Sequence, residues 1–150
     1  MLSANVAQAV SPDPAWSMRL GFDLVQISQV ADSLDQFGAL YEERLFTPGE
    51  LEYARGSEHV HAERLAARFA AKEAVIKALQ LSDAGLVFRD IEVCKMDDGS
   101  CEVQLHGRAA ELAQDLGHAR ILLSLSHDGD YAAAVATVLV RHDAAQGAAA

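Results

Sequence analysis

The region that most constrains the fold is a predicted helix over residues 62–79, because it has a charge inside its apolar stripe. At 3.6 residues per turn, one face of this helix collects five side chains, namely Leu65, Phe69, Lys72, Ile76 and Leu79. A lysine therefore stands in the middle of the row that should face the core. Glu73 and Lys77 lie one turn apart on the flank of the same helix.

Two interpretations of these charges are open from the helix alone. In the simpler one, Lys72 lays its apolar stem along its neighbours and keeps its ammonium in water. Glu73 and Lys77 then form an exposed i,i+4 pair that stabilises the helix by roughly 0.2–0.5 kcal/mol. In the other interpretation, the charges belong to a site that binds a polar ligand.

Length and charge exclude several classes of protein. A chain of 150 residues fits one domain, which buries about two-thirds of its unfolded surface. The formal net charge of −10 argues against nonspecific binding to nucleic acid or to an anionic membrane. The sequence predicts neither a signal peptide nor a membrane-spanning helix, and two cysteines are too few for a disulfide scaffold. We therefore expect a cytoplasmic protein.

Composition at the two ends predicts the domain boundaries. Proline near the start and repeated alanine near the end are typical of poorly ordered termini. We expect a flexible N-terminal extension over residues 1–17, one domain over residues 18–142 and a disordered tail over residues 143–150.

Periodicity and turn signals predict the remaining elements. Strands are expected at 18–25, 91–94, 102–105, 120–127 and 131–140, and helices at 27–40, 47–55, 62–79 and 107–116. The helix at 47–55 is expected to start with Thr47 as its cap, followed by proline at its first position and Glu50 at its third. If Asp98 and Gly99 form a two-residue hairpin turn, Lys95 faces Glu102 and the two cysteines are not paired. This order of elements predicts an α+β domain, with a small, mostly antiparallel sheet packed on the long helix.

An aspartate interrupts the apolar pattern of the first predicted strand. Asp23 stands between Phe22 and Leu24. The ordinary explanation is a strand-end residue that caps the following segment. Alternatively, Asp23 and Glu73 converge on one hard cation while Lys77 meets a phosphate. Two acids would suffice for magnesium, which completes its octahedron with water and phosphate oxygens.

Five segments, taken together, resemble the holo-[acyl-carrier-protein] synthase family. They are residues 21–25 (GFDLV), 45–50 (LFTPGE), 68–78 (RFAAKEAVIKA), 90–93 (DIEV) and 124–127 (SLSH). The resemblance runs in order from Leu20 to Val140, and the lysine–glutamate–alanine motif of the helix is specific. An accidental match to all five segments is improbable.

The resemblance implies the fold and the activity of a 4′-phosphopantetheinyl transferase. Such an enzyme moves 4′-phosphopantetheine from coenzyme A to a serine of an apo acyl carrier protein and releases 3′,5′-ADP, in fatty-acid or polyketide biosynthesis. Asp23 and Glu73 match the Mg²⁺ ligands of the family. Glu73 also matches a group that accepts the serine proton, and Lys77 matches the lysine placed beside the phosphates.

The same resemblance extends to the coenzyme, the carrier protein and the oligomer. Lys72 matches a family position, and its place in the apolar stripe suggests that it faces an interface or the nucleotide. Ser126 and His127 would line a nucleotide pocket, although a strand-end histidine such as His127, taken alone, is usually paired locally. Arg44 fits a basic position that contacts the carrier protein. Members of this single-domain type form homotrimers with the coenzyme site between subunits, so a homotrimer is expected.

Departures from the family pattern leave the carrier and the function partly open. The helix after Asp23 has no basic residue in its first turns, so we expect a restricted or less acidic carrier protein. The family often has proline where Cys101 stands and glycine where Gln80 stands. The alternative function is a non-catalytic module of the same fold that binds coenzyme A or the carrier. A metal-dependent phosphohydrolase would require more carboxylates or histidines.

Overall fold

The computed structural model describes residues 15–82 and 85–142, except for the side chains of residues 118 and 119. Its helices and strands are, in chain order, β1 (Trp16–Gln26), α1 (Ile27–Phe37), α2 (Ala39–Leu45), α3 (Pro48–Arg55), α4 (His61–Leu79), β2 (Ile91–Lys95), β3 (Cys101–Leu105), α5 (Gly107–Asp115), β4 (His118–Asp128) and β5 (Tyr131–Arg141). Short 3₁₀ turns precede α4 and β2. Within the described residues, no helix combines the length and apolar character needed to cross a bilayer.

The predicted α+β architecture is confirmed. A three-stranded antiparallel sheet has the order β1-β5-β4, and β2 with β3 forms a separate antiparallel hairpin. Helix α4 packs across β1 and β5. The inner row of β5 consists of small buried residues, among them Ala132, Ala134 and Ala136, which allow the helix to lie close to the sheet.

The ends of several elements differ slightly from the prediction. Strand β1 begins at Trp16, which pairs with Arg141, so Trp16 and Ser17 belong to the sheet and not to an extension. The rest of that predicted extension, residues 1–14, and the predicted tail over 143–150 lie outside the described residues. The helix predicted over 27–40 ends at Phe37, because Gly38 adopts a φ of 52° and separates α1 from α2.

The predicted register of the hairpin is wrong by one residue. Lys95 pairs with Cys101 and not with Glu102. The reason is a longer loop. The backbone amide of Met96 donates to the carbonyl oxygen of Ser100 at 2.9 Å, so three residues, not two, lie between Met96 and Ser100. Cys94 pairs with Glu102, so the two cysteines do not pair with each other across the hairpin, as predicted, and both are free thiols.

A close approach between β1 and α4 positions the charged residues of the helix. At Gly21 a Cβ atom would lie 1.8 Å from the backbone oxygen of Ala74, so only glycine lets the two elements meet at this distance. Glu73 and Lys77 flank this contact on α4, and Asp23 follows it on the same face of β1. The backbone therefore holds these three residues at one junction.

The other face of β1 exposes a continuous apolar row. Its members are Met18, Leu20, Phe22 and Leu24, each more than half exposed. They alternate with the residues that face α4, as a strand with a period of two requires. A monomeric protein seldom exposes so many large apolar side chains in one row.

Candidate active site

The junction of β1 and α4 brings two carboxylates and a lysine together. The Nζ atom of Lys77 lies 2.7 Å from Oδ1 of Asp23 and also donates to the carbonyl oxygen of Phe22 at 3.0 Å. Burial raises the pKa of the Glu73 carboxyl, the negative charge of Asp23 raises it further, and Lys77 lowers it in part. The two carboxyl groups are therefore near enough to repel each other, with one ammonium beside them.

The donor set at this junction fits a divalent cation that takes few protein ligands. Among the described residues there is no group of three or more histidine, cysteine, aspartate or glutamate side chains that could hold a metal ion. Two carboxylates suit magnesium, which takes its other ligands from water and from phosphate oxygens. A cation between Asp23 and Glu73 would also offset the repulsion that contributes to the raised pKa of Glu73.

The simpler explanations of these charges are wrong. Strand β1 continues past Asp23 to Gln26, and the capping role suggested for this aspartate belongs to Asp130, whose Oδ1 accepts from the backbone amide of Ser28 at 2.8 Å. Lys77 directs its ammonium to Asp23 on β1. It does not act only as the exposed partner of Glu73 on its own helix.

Lys72 is fully buried, so the expectation that it faces an interface or the nucleotide is wrong. The alternative in which its ammonium stays in water is wrong as well. Its Nζ atom lies 2.7 Å from Oε2 of Glu50 and donates to the carbonyl oxygens of Leu45 at 2.8 Å and Phe88 at 3.1 Å. Burial lowers the pKa of Lys72, and the charge of Glu50 opposes that shift. The ammonium holds α4 against three other segments.

Glu50 is the partner that the sequence did not identify. The pattern predicted it only as the third residue of a helix capped by Thr47, and that capping box is confirmed. Its Oε2 accepts from the amide of Thr47 at 2.8 Å, and its Oε1 accepts from the amide of Val93 at 2.9 Å. A signal was present in Lys72 alone, since a charge on a predicted core-facing row requires a partner of opposite charge.

A second candidate region is a cleft at the other edge of the sheet. It has a volume of about 550 Å³ and lies between the first half of α4, the tip of the β2–β3 hairpin and β4. Its lining includes Arg64, Arg68, Lys95, Cys101, Ser126 and His127. The carboxylate pair lies at β1, whereas the cleft borders β4, so the two regions occupy opposite edges of the three-stranded sheet.

Ser126 and His127 both line this cleft. Nδ1 of His127 is 3.4 Å from Oε2 of Glu63 at the start of α4. The histidine is thus paired locally, as a strand-end residue usually is, and it also lines the cleft. Neither residue lies near Asp23 within one chain, because β5 separates β4 from β1.

Arg68 is a further cleft residue that sequence reasoning did not single out. Its guanidinium carbon is 4.0 Å from the centre of the Tyr53 ring, and Nη1 donates to the carbonyl oxygen of Arg64 at 3.2 Å. Arg68 is only 3% exposed, yet its Nε and Nη2 atoms have no hydrogen-bond partner among the described residues. Burial lowers its pKa. Because unpaired buried donors are costly, this cation indicates a place for an anion.

Arg44 is exposed on α2, beside a groove of about 660 Å³. The groove is also lined by Phe37, Leu40 and Arg89, and both apolar side chains are more than half exposed. Helix α1, which leads into this groove, exposes Asp32 and has no basic residue. The surface therefore combines apolar contacts and two arginines with an acidic helix beside them.

Comparison with known proteins identifies similar chains over most of the sequence. The family model of the 4′-phosphopantetheinyl transferase superfamily matches residues 19–136. A holo-[acyl-carrier-protein] synthase from Gloeobacter violaceus is 40% identical over 121 residues, which are 81% of this chain and 92% of that protein. One from Moorella thermoacetica is 43% identical, over 81% of this chain and 93% of that protein.

Two solved structures are also similar to this chain. The ACPS–CoA complex of Chronobacterium ammoniagenes has a TM-score of 0.73 at 36% identity, over 85% of this chain and 99% of that one. The apo structure of the same organism's protein has a TM-score of 0.76 at 34% identity.

Proposed function

The chain belongs to the 4′-phosphopantetheinyl transferase superfamily, and on this premise we propose that it acts as a holo-[acyl-carrier-protein] synthase. It transfers 4′-phosphopantetheine from coenzyme A to a serine of an apo acyl carrier protein and releases 3′,5′-ADP. The observation that supports this most is the junction at which Asp23, Glu73 and Lys77 meet. A module that only bound coenzyme A would not need two carboxylates that repel each other.

Each of the three residues has a role in this proposal. Asp23 and Glu73 hold Mg²⁺, which when bound supplies the positive charge that neutralises the coenzyme A diphosphate. Glu73 is the group that accepts the proton of the attacking serine hydroxyl. Lys77 places its ammonium beside the same diphosphate, where it stabilises the negative charge that develops on the departing 3′,5′-ADP.

The transfer itself is tested by incubating the protein with coenzyme A, Mg²⁺ and an apo acyl carrier protein. We expect the intact mass of the carrier to rise by one phosphopantetheine group. A binding module would bind coenzyme A and leave the mass of the carrier unchanged. A phosphohydrolase would cleave the diphosphate without modifying the carrier. Either of these results would overturn the proposal.

We further propose that the coenzyme site is completed by a neighbouring copy in a homotrimer. One chain has the carboxylate pair at β1 and the cleft with Ser126 and His127 at β4, which are the two edges of its sheet. If β1 of one subunit adjoins β4 of the next, the two halves of the site meet. The apolar row on β1 supports this arrangement, because burying it would remove more than half of each side chain from water.

Replacing Phe22 by aspartate is expected to dissociate the trimer, since a charge would enter the centre of the apolar row. Light scattering after size-exclusion chromatography measures the molar mass. Val87→Asp is the matched control, because Val87 is 54% exposed and Phe22 is 52% exposed, but Val87 lies outside β1. The proposal predicts that Val87→Asp stays trimeric and that Phe22→Asp loses transfer. A trimeric Phe22→Asp protein would contradict this interface.

Replacing Lys77 by alanine is expected to lower kcat by about 10²-fold with a smaller change in the KM for coenzyme A. The reason is that the ammonium acts mainly on charge that develops in the transition state. Lys77→Arg keeps the positive charge beside Asp23 and should retain part of the rate. Steady-state kinetics on both variants provide the test. An unchanged kcat with a raised KM would make Lys77 a ground-state phosphate contact.

The carrier protein is proposed to be less acidic than a typical fatty-acid carrier, as in a polyketide or specialised lipid pathway. Asp32 and Asp35 are exposed on α1 and would repel an acidic helix, while Arg44 and Arg89, which line the groove, would attract one only there. We expect turnover with a strongly acidic fatty-acid carrier to be lower than with carriers of smaller charge. Equal kcat/KM for all carriers would contradict this selectivity.

The free cysteines agree with the cytoplasmic location that we propose.

A further inference from the structure

The cleft at β4 contains a thiol that the proposed transfer does not use. Cys101 begins β3, lines the cleft together with Arg68, and pairs across the hairpin with Lys95. Its side chain is partly exposed and forms no disulfide. Cys94 is not among the residues that line the cleft, and it lies on the opposite face of the hairpin because neighbouring strand residues alternate.

Arg68 and Lys95 place two positive charges on the walls of the cleft that also contains Cys101. The Nε and Nη2 atoms of Arg68 are buried without hydrogen-bond partners among the described residues, and Arg68 lines the same cleft as Cys101. The ammonium of Lys95 contacts the carbonyl oxygen of Gly99, which also lines the cleft. An anion that neutralised these two cations would therefore lie in the same cleft as Cys101, whose cross-strand partner is Lys95.

We propose that Cys101 is a site of thiol–disulfide exchange with small disulfides that have phosphate or carboxylate groups. The anionic group binds at Arg68 and Lys95, and the Cys101 thiolate, having lost its proton to solvent, attacks one sulfur of the disulfide. The S–S bond of the reagent breaks, and its other half leaves as a thiolate with the bonding electron pair. Cys101 is thereby oxidised to a mixed disulfide and the leaving half is reduced, so no further oxidant is needed.

The environment of Cys94 disfavours the same reaction. Burial raises the pKa of the Cys94 thiol, the charges of Glu92 and Glu50 raise it further, and Arg68 lowers it only in part. Because the thiolate is the nucleophile, Cys94 reacts slowly at neutral pH. Cys94 therefore serves as an internal control, because the two cysteines belong to adjacent cross-strand pairs and lie on opposite faces of the hairpin.

The mixed disulfide would fill the cleft, and the resulting loss of transfer is the one part of this inference that rests on the proposed function. The exchange itself needs neither a carrier protein nor turnover. Two sources share the required chemistry: glutathione disulfide has carboxylates, and coenzyme A disulfide has phosphates. Reduction with dithiothreitol should remove either adduct.

The test compares a dianionic reagent, 5,5′-dithiobis(2-nitrobenzoate), with the neutral 2,2′-dithiodipyridine, and follows labelling by mass spectrometry. We expect the dianionic reagent to modify Cys101 about tenfold faster than Cys94. The fast phase should persist in Cys94→Ser and disappear in Cys101→Ser. In Lys95→Gln, the rate with the dianionic reagent should fall several-fold relative to the neutral one. Lys95 is exposed, so this variant is informative even if Arg68→Gln does not fold.

Equal labelling of the two cysteines would overturn the proposal, as would an unchanged ratio of the two reagents in Lys95→Gln. Incubation with glutathione disulfide and, separately, with coenzyme A disulfide then identifies the source, because the adduct masses differ. No adduct from either would also overturn it. If Cys101 is modified and the untreated enzyme does not modify a carrier, only the proposed transferase function fails. If transfer is normal and Cys101 does not react, only the present proposal fails.

Discussion

Asp23→Ala and Glu73→Ala are each expected to lower phosphopantetheine transfer by about 10³-fold, because either change leaves one carboxylate to hold Mg²⁺. The side chains approach each other across the β1–α4 junction, where the charge of Asp23 acts on Glu73. The folded structure should survive, because the Lys77–Asp23 ion pair is partly exposed and such pairs contribute at most about 1 kcal/mol. Circular dichroism and chromatography should therefore match those of the unmodified protein.

The rate of carrier modification, followed by intact mass, measures this effect. Glu111→Ala is the control, because Glu111 is an exposed acid on α5 whose only described ion pair is with Arg108. Its rate should be unchanged. Chelation of divalent ions should stop transfer by the unmodified protein, and added Mg²⁺ should restore it. Near-normal rates in both Asp23→Ala and Glu73→Ala would show that these carboxylates are not the metal ligands.

Local signals predicted the elements that depend on neighbouring residues. The Thr47 capping box and the proline that follows it predicted the start of α3. The 3.6-residue periodicity predicted the start of α4 to within one residue of its first residue, His61. These features could be read from the sequence because their energies depend on residues at most four positions apart. The hairpin register was predicted wrongly although its residues are equally close in sequence, because the turn type depends on the geometry of the loop, in which Asp98 Oδ1 accepts from the amide of Ser100 and the Met96 amide bonds to the Ser100 carbonyl oxygen.

The site was predicted unevenly, and the reason is again distance along the chain. Periodicity placed Glu73 and Lys77 on one helix, and the acid inside an apolar strand suggested that Asp23 joins them, but only the resemblance to a family favoured this over a capping role. The cleft could not be predicted by spacing, because its walls come from α4, the β2–β3 hairpin and β4. Arg68 stood in the recognised motif, yet its two unpaired donors became evident only when its surroundings were known.

The environment of Lys72 gives the second large expected effect, which is on stability. Lys72→Met should lower the free energy of unfolding by about 3–5 kcal/mol, because it leaves Glu50 as a buried carboxylate without its cation. Glu50→Gln should have a similar effect by leaving the ammonium without its anion. In the double variant the loss should be smaller than the sum of the two single losses, since no uncompensated charge remains.

Urea unfolding at one fixed protein concentration measures these differences, and Arg108→Met is the matched control. Arg108 also forms an ion pair, with Glu111, but both partners are more than half exposed, so its loss should cost less than about 1 kcal/mol. Lys72→Met also distinguishes a buried ion pair from a contact between Lys72 and the nucleotide. A nucleotide contact predicts a raised KM for coenzyme A with unchanged stability, whereas the buried pair predicts the reverse. A Lys72→Met protein as stable as the unmodified one would mean that this ammonium does not hold α4 in place.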